Sequence, residues 1–199
     1  MAWAPDYVTP SEAKDYLRIP DDVDDTEIGF AITAASRAID RATGRQFGVV
    51  AAAEERFYTP YWDRDLEVYA VDIDDLQTTT DLAVEDENAE TLAALVTLGD
   101  GGYRLEPRNA LQIGRAWTRL VTTTCGTGDW AVTAIWGWTA VPDTIKQAVL
   151  MQVNRLIKRR EAPFGVAGSP EGGELRLLAK LDPDVEVLVG TYKRWGAAS

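Results

Sequence analysis

The sequence predicts an α+β fold, in which the N- and C-terminal segments form a helical bundle around an inserted small antiparallel β domain. Three observations carry this expectation. Apolar residues recur at helical spacing over 25–43 and again from Pro142 to about Arg160. Between them, residues 50–138 alternate β-formers with polar residues and are interrupted by Gly, Pro and Asn. The helices are too short to support themselves in water, so the stripes at the two ends need one another. The expected boundaries are 1–49 with 139–199 for the bundle and 50–138 for the insertion.

The elements follow in chain order. Thr9 caps a first helix, Pro10 takes its first position and Glu12 answers the cap. Pro20 keeps that helix short. In the acidic run 21–25, Asp24 with Glu27 fits a capping box for a second helix. Its stripe is Ile28, Ile32, Ala35 and Ile39, widened by Ala31, Ala38 and Ala42, and Gly44 is its C-cap. Strands are expected at 56–59, 66–73, 93–98, 103–105, 117–123 and 130–136, with a turn at 99–102. Pro142 pre-sets a third helix with Ile145, Val149, Val153, Leu156 and Ile157 on one face. A Gly/Pro-rich loop is expected at 163–173, and Leu175, Leu178 and Leu181 suggest a short helix. Asp182 and Pro183 open the last one, with Val185, Leu188, Val189 and Tyr192 as its stripe.

Composition narrows function. The 199 residues include 20 Lys+Arg, 32 Asp+Glu and no His, for a net charge of −12. Without histidine no Ser-His-Asp or Cys-His nucleophile system can form, and imidazole-based zinc sites are out. One cysteine, Cys125, makes neither an intrachain disulfide nor a thiolate cluster, and reads as a quiet thiol. No stretch of about 20 apolar residues exists, and the start lacks a signal-peptide pattern, so a soluble, uncleaved chain without membrane contact is expected. Acidity argues against coating a nucleic acid. The charge is uneven: 11 basic and 25 acidic residues give −14 over 1–142, whereas nine basic and seven acidic give +2 over 143–199. One acidic surface and a separate, mildly basic docking surface follow.

Candidate sites are few. Lys158, Arg159 and Arg160, with Arg155 one turn earlier, suit an acidic partner or DNA phosphates; as plain structure they complement a helix C-terminus. Trp130, Trp136 and Trp138 read as an aromatic ligand platform or, more simply, as sheet core. Asp72, Asp74 and Asp75, or Glu85, Asp86 and Glu87, resemble no calcium loop and read as acidic turns. No catalytic residue, metal ligand or cofactor site is assigned.

Four stretches, taken in order, resemble the head-to-tail connector, or adaptor, family of long-tailed double-stranded DNA phages. They are Tyr7-Val8-Thr9-Pro10 through Leu17, Ala34 through Phe47, Trp136-Gly137-Trp138-Thr139-Ala140-Val141-Pro142 with the helix after it, and Leu181-Asp182-Pro183-Asp184-Val185 with Tyr192 and Arg194. The run Arg104 to Ala110 within the insertion adds to the likeness. The resemblance touches nearly the full length, and its motifs are structural.

It implies a structural virion protein without enzymatic activity, made in the host cytoplasm and placed at the capsid portal vertex. Subunits of such a ring, commonly twelve, dock beneath the portal protein, extend the DNA channel without binding DNA specifically, and seat a stopper or tail-completion protein. Portal contacts fall on Arg155, Lys158, Arg159, Arg160, Tyr192, Arg194 and Trp195. Trp195 is the expected anchor in a partner pocket. A ring above two-fold symmetry needs two different faces per subunit, and Arg37, Asp40 and Arg41 are candidates for the contact between subunits. Acidic residues of 1–142 are expected along the channel, where they repel phosphates. The competing readings are a stopper or tail terminator, a carboxylate-dependent enzyme acting on a glycan, and a ligand-binding module built on the tryptophans.

Overall fold

The computed structural model describes residues 4–85, 93–94, 102–123, 128–161 and 181–194. It has a mixed α+β fold. Its contacts divide into two compact units, 1–47 with 141–199 and 48–140.

Among the described residues the first unit holds four helices: α1 (Pro10–Leu17), α2 (Asp25–Thr43), α3 (Asp143–Glu161) and α4 (Pro183–Gly190). Helix α1 begins with the expected capping box, in which Thr9 Oγ1 accepts from Glu12 N–H at 3.2 Å and Glu12 Oε2 accepts from Thr9 N–H at 2.7 Å. The box expected at α2 does not form. Asp24, with φ −98° and ψ 9°, makes no side-chain cap bond, and Lys14 reaches in to pair with Asp22 and Asp25 instead. Gly44 ends α2 in the left-handed region at φ 66°, returning its N–H to Asp40 C=O. Pro142 stands one residue ahead of α3 and accepts from Ile145 and Lys146 N–H. Asp182 caps α4 through Asp184 N–H.

The stripes meet. Ile28, Ile32, Ala35 and Ile39 of α2 and Ile145, Ala148, Val149 and Val153 of α3 are buried, and α2 packs against α3. Each also touches α1 and α4, where Ala13, Val185 and Val189 are buried. Each large aliphatic side chain so enclosed contributes roughly 1.5–3 kcal/mol of transfer free energy.

Among the described residues the second unit contains two sheets. Strands β1 (Glu54–Tyr58), β8 (Trp130–Ala134) and β4 (Ala83–Glu85) form a three-stranded antiparallel sheet in the order β1-β8-β4. Strands β2 (Tyr61–Asp63), β3 (Val68–Leu76), β7 (Trp117–Thr122), β6 (Gly102–Glu106) and β5 (Ala93–Ala94) form a five-stranded sheet in the order β2-β3-β7-β6-β5. It is antiparallel except for the short parallel pair β5–β6. Strands β2 and β4 lie outside the expected set, and the strand expected at 66–73 starts instead at Val68 after a turn. The 99–101 part of the expected turn, the 163–173 loop, Cys125 and the helix over 175–180 lie outside the described residues.

The entry and exit of this unit are fastened together. Val50 N–H donates to Trp136 C=O, Gly137 N–H to Asp75 C=O and Trp138 N–H to Gly48 C=O, at 2.7–2.9 Å. Gly137 has φ 112°, and a Cβ added there would lie 1.7 Å from the Gly48 carbonyl oxygen. No side chain fits without parting the two strands. Gly137→Ala should therefore destabilise the protein by about 3 kcal/mol or more, read by urea unfolding. Gly29→Ala, where a Cβ meets open space inside α2, should instead be stabilising or neutral.

Candidate assembly surfaces

The residues expected at a subunit contact lie on α2, and the structure separates them. Arg37 is taken up inside the helical unit. Its Nη2 donates to Pro5 C=O at 2.6 Å, its Nε lies 3.1 Å from Asp40 Oδ2, and its guanidinium stands 5.6 Å from the Tyr7 ring centre. Asp40 Oδ1 accepts a hydrogen bond from the Tyr7 hydroxyl. That hydroxyl also accepts from Phe47 N–H at 3.0 Å, and Tyr7 N–H donates to Ser36 Oγ at 3.2 Å. The chain ahead of α1 is thus fixed along α2 by a polar knot. Arg41, one turn past Arg37, is exposed.

Burial holds the Asp40 carboxyl above the ordinary carboxylate range, against the Tyr7 hydrogen bond and the nearby Arg37 and Arg41 charges. The Tyr7 hydroxyl is pushed well above its usual value, mainly by burial and then by Asp40.

The residues expected at a portal contact divide likewise. Tyr192 C=O accepts from Arg45 Nε at 2.6 Å, and its ring meets Phe47 edge-on at 5.5 Å. Arg194 N–H donates to Thr43 C=O at 2.9 Å, which satisfies a carbonyl at the end of α2. Both residues therefore fasten the C-terminal segment to α2. Arg155 Nη1 lies 3.8 Å from Asp182 Oδ2 and holds the start of α4 against α3. Lys158 is exposed and Arg159 half-buried. The Arg160 side chain and Trp195 lie outside the described residues.

The tryptophans are core. Trp130 is fully enclosed on β8, and Trp136 and Trp138, just past the strand, are each 2% exposed. Trp136 Nε1 donates to Glu54 C=O and Trp138 Nε1 to the buried Asp75 carboxylate, both at 2.8 Å. A ligand platform would need them open. The three aspartates of β3 diverge. Asp72 accepts from Tyr61, Asp74 takes Arg56 at 2.7 Å and the Tyr58 hydroxyl at 2.9 Å, and Asp75 faces Trp138. Among the described residues no group of three or more His, Cys, Asp or Glu side chains is placed to hold a metal ion, and no helix is long and apolar enough to cross a membrane.

Sequence reasoning missed two features. The Tyr7–Phe47–Tyr192 cluster joins residues too far apart in sequence for any local pattern. The second, exposed Phe30 at 73% exposure, had a signal: it falls off the apolar stripe of α2.

No known protein family matches the sequence, and no curated protein does. Among solved structures, a chain from the neck of an empty GTA particle, computed with C6 symmetry, matches with a TM-score of 0.55. The two are 17% identical, and the match covers 97% of this chain and 93% of that one. The likeness is one of fold, and it runs through both units.

Because Arg37 is engaged inside the unit, Arg37→Glu should cost about 2–4 kcal/mol of stability, whereas Arg41→Glu should change the unfolding midpoint little. Tyr7→Phe should cost about 1–3 kcal/mol by stranding the buried Phe47 N–H; urea melts check all three. A buried carboxyl with a raised pKa stabilises the fold when protonated, and this contribution is lost as pH rises through its folded-state pKa. The stability of the parent relative to Asp40→Asn should therefore grow as pH falls from 7 towards 4, measured by denaturant melts across that range.

Proposed function

We propose that this chain is a structural protein of a virion neck, the head-to-tail adaptor that forms a ring beneath the portal, extends the DNA channel and seats a stopper or tail-completion protein. The observation that carries the reading is the end-to-end likeness of fold to a neck chain. Off-axis chains in a particle of six-fold symmetry occur in multiples of six, which accommodates a ring of twelve. The four sequence stretches that resemble connectors support the same role, and the absence of histidine removes the commonest nucleophile and metal chemistries. On this reading the molecule is a spacer rather than a catalyst.

Lys158 and Arg159 are the described residues we assign to the portal contact, with Arg160 and Trp195 completing it. Tyr192 and Arg194 support that surface by anchoring its segment to α2. Acidic residues of 1–142 line much of the channel or its rim, where negative charge keeps phosphates from adhering while DNA moves.

The test is co-purification with a portal protein from the same genome, followed by electron microscopy. A ring seated on the portal, weakened at least tenfold by Lys158→Glu with Arg159→Glu and increasingly by salt, is the expected result. A chain that ignores the portal but binds an already assembled portal–adaptor complex would be a stopper or other neck component, and one that binds neither would end the reading.

A further inference from the structure

We infer that the outward face of the three-stranded sheet, around Phe57, is one half of a head-to-tail contact between copies of this chain, and that the β6–β7 loop, with Leu111, Ile113 and Arg108, is the other half. This rests on the ring reading and names the surfaces that would close the ring.

Strand register builds the first half. Trp130, Val132 and Ala134 of β8 and Val84 of β4 are fully buried. Their partners on β1, Arg56 and Tyr58, reach Asp74 of β3 from that same side. The alternate residues therefore point away from the five-stranded sheet. Cross-strand pairing sets them in two rows, Phe57–Ala131–Glu85 and Glu55–Thr133–Ala83. Phe57 is 64% exposed at the β1 edge. The central strand carries only Ala131 and Thr133 here, so a shallow trough runs between Phe57 and Glu55 on one margin and Glu85 on the other. A single exposed phenylalanine needs no explanation. Here it shares its face with Glu55 and Glu85, which take part in no ion pair or hydrogen bond among the described residues, and neither row contains a basic side chain. A low floor of small side chains between carboxylate margins favours an occupant that is aliphatic and cationic.

The β6–β7 loop has that chemistry. Between Glu106 and Arg119 the chain holds Arg108 and Arg115 and no acid, and Glu106 is itself paired with Arg104. Leu111 is 41% and Ile113 67% exposed on the short helical turn Leu111–Ile113. The backbone beneath them is closed on itself. Ala110 N–H donates to Pro107 C=O, and Ile113 and Arg115 N–H both donate to Ala110 C=O, at 2.8–3.2 Å. Ala110 and Ala116, on either side of the turn, are buried. The loop thus presents its aliphatic side chains on a fixed backbone, which lowers the ordering cost of binding. Arg108 is exposed and has a contact within its own chain. A guanidinium has five N–H donors, enough to serve a carboxylate of a second copy as well.

The two halves share no residue and belong to different sheets of one compact unit. Neither complements itself, because the trough is acidic and the loop basic. Two unlike, mutually complementary patches on one body make a heterologous contact, which is what rotational closure above two-fold requires; one self-complementary face would stop at a dimer.

The test uses the full chain with Cys125→Ser, carrying either Thr133→Cys or Ile113→Cys. The two variants, told apart by a tag, are treated with a short bismaleimide singly and mixed, both free at high concentration and bound to the portal. A crosslinked dimer joining one copy of each, seen only in the mixture, is expected. A product from one variant alone would show a self-complementary contact and overturn the inference, as would the lack of a mixed product in both preparations. Ile113→Asp should leave the thermal midpoint nearly unchanged at so exposed a position and raise the concentration for half-assembly by about tenfold or more. Glu55→Gln with Glu85→Gln should weaken assembly and flatten its dependence on salt; an unchanged salt dependence would also overturn the inference. Normal assembly of Ile113→Asp on the portal would overturn this contact and leave the neck reading intact. A mixed product from a chain that never binds the portal would do the reverse.

Discussion

The helical unit depends on the enclosure of Phe47. Its ring meets the edge of Tyr7 at 5.8 Å and that of Tyr192 at 5.5 Å, and no part of it reaches solvent. Each edge-to-face pair adds roughly 0.5–1.5 kcal/mol beyond the burial itself. The geometry matters more than the sum. Phe47 follows α2, Tyr7 precedes α1 and Tyr192 follows α4, so one side chain gathers three segments that lie far apart in sequence. The Tyr7 hydroxyl then reads the backbone at Phe47 and the carboxyl at Asp40 together. Arg37 closes the knot from the other side.

The β unit depends on a different constraint, the close approach of backbone at Gly137. Bonds to Gly48 and Asp75 require that no Cβ intervene. The flanking tryptophans then face inward, and each places its indole N–H on a defined acceptor, so two large rings are buried at little polar cost. Arg56 stacks 5.0 Å from the Trp136 ring centre while pairing with Asp74, which ties β1 to β3 by charge as well as packing.

Most of the helices were legible because their signals are local. The Thr9–Glu12 box, the Ile28–Ile39 stripe, the Gly44 cap and the Asp182–Pro183 start all declare themselves within a few residues. The same logic failed at Asp24, where Lys14, ten residues upstream, competes for the nearby carboxylates. Strand β4 was illegible because three residues carry no period, and its order comes from β8, far along the chain. The basic character of 155–160 was legible as charge, but its fate was not: Arg155 is committed to Asp182, while Lys158 stays exposed. Arg37 and Asp40 look like surface charges in sequence, and the approach of Tyr7 leaves both half-buried.

The pairing of Val49 with Gly137 has a topological meaning. Polypeptide enters and leaves the β unit through one stapled doorway, so the loop it makes is already shut before any of its interior is counted. Lengthening that interior raises the entropic cost of closing the doorway only slowly, by about 0.6 kcal/mol for each doubling. Such a module can grow, shrink or be exchanged through descent while the chain on either side of the doorway keeps its register, which is the physical setting in which one scaffold diversifies what it displays.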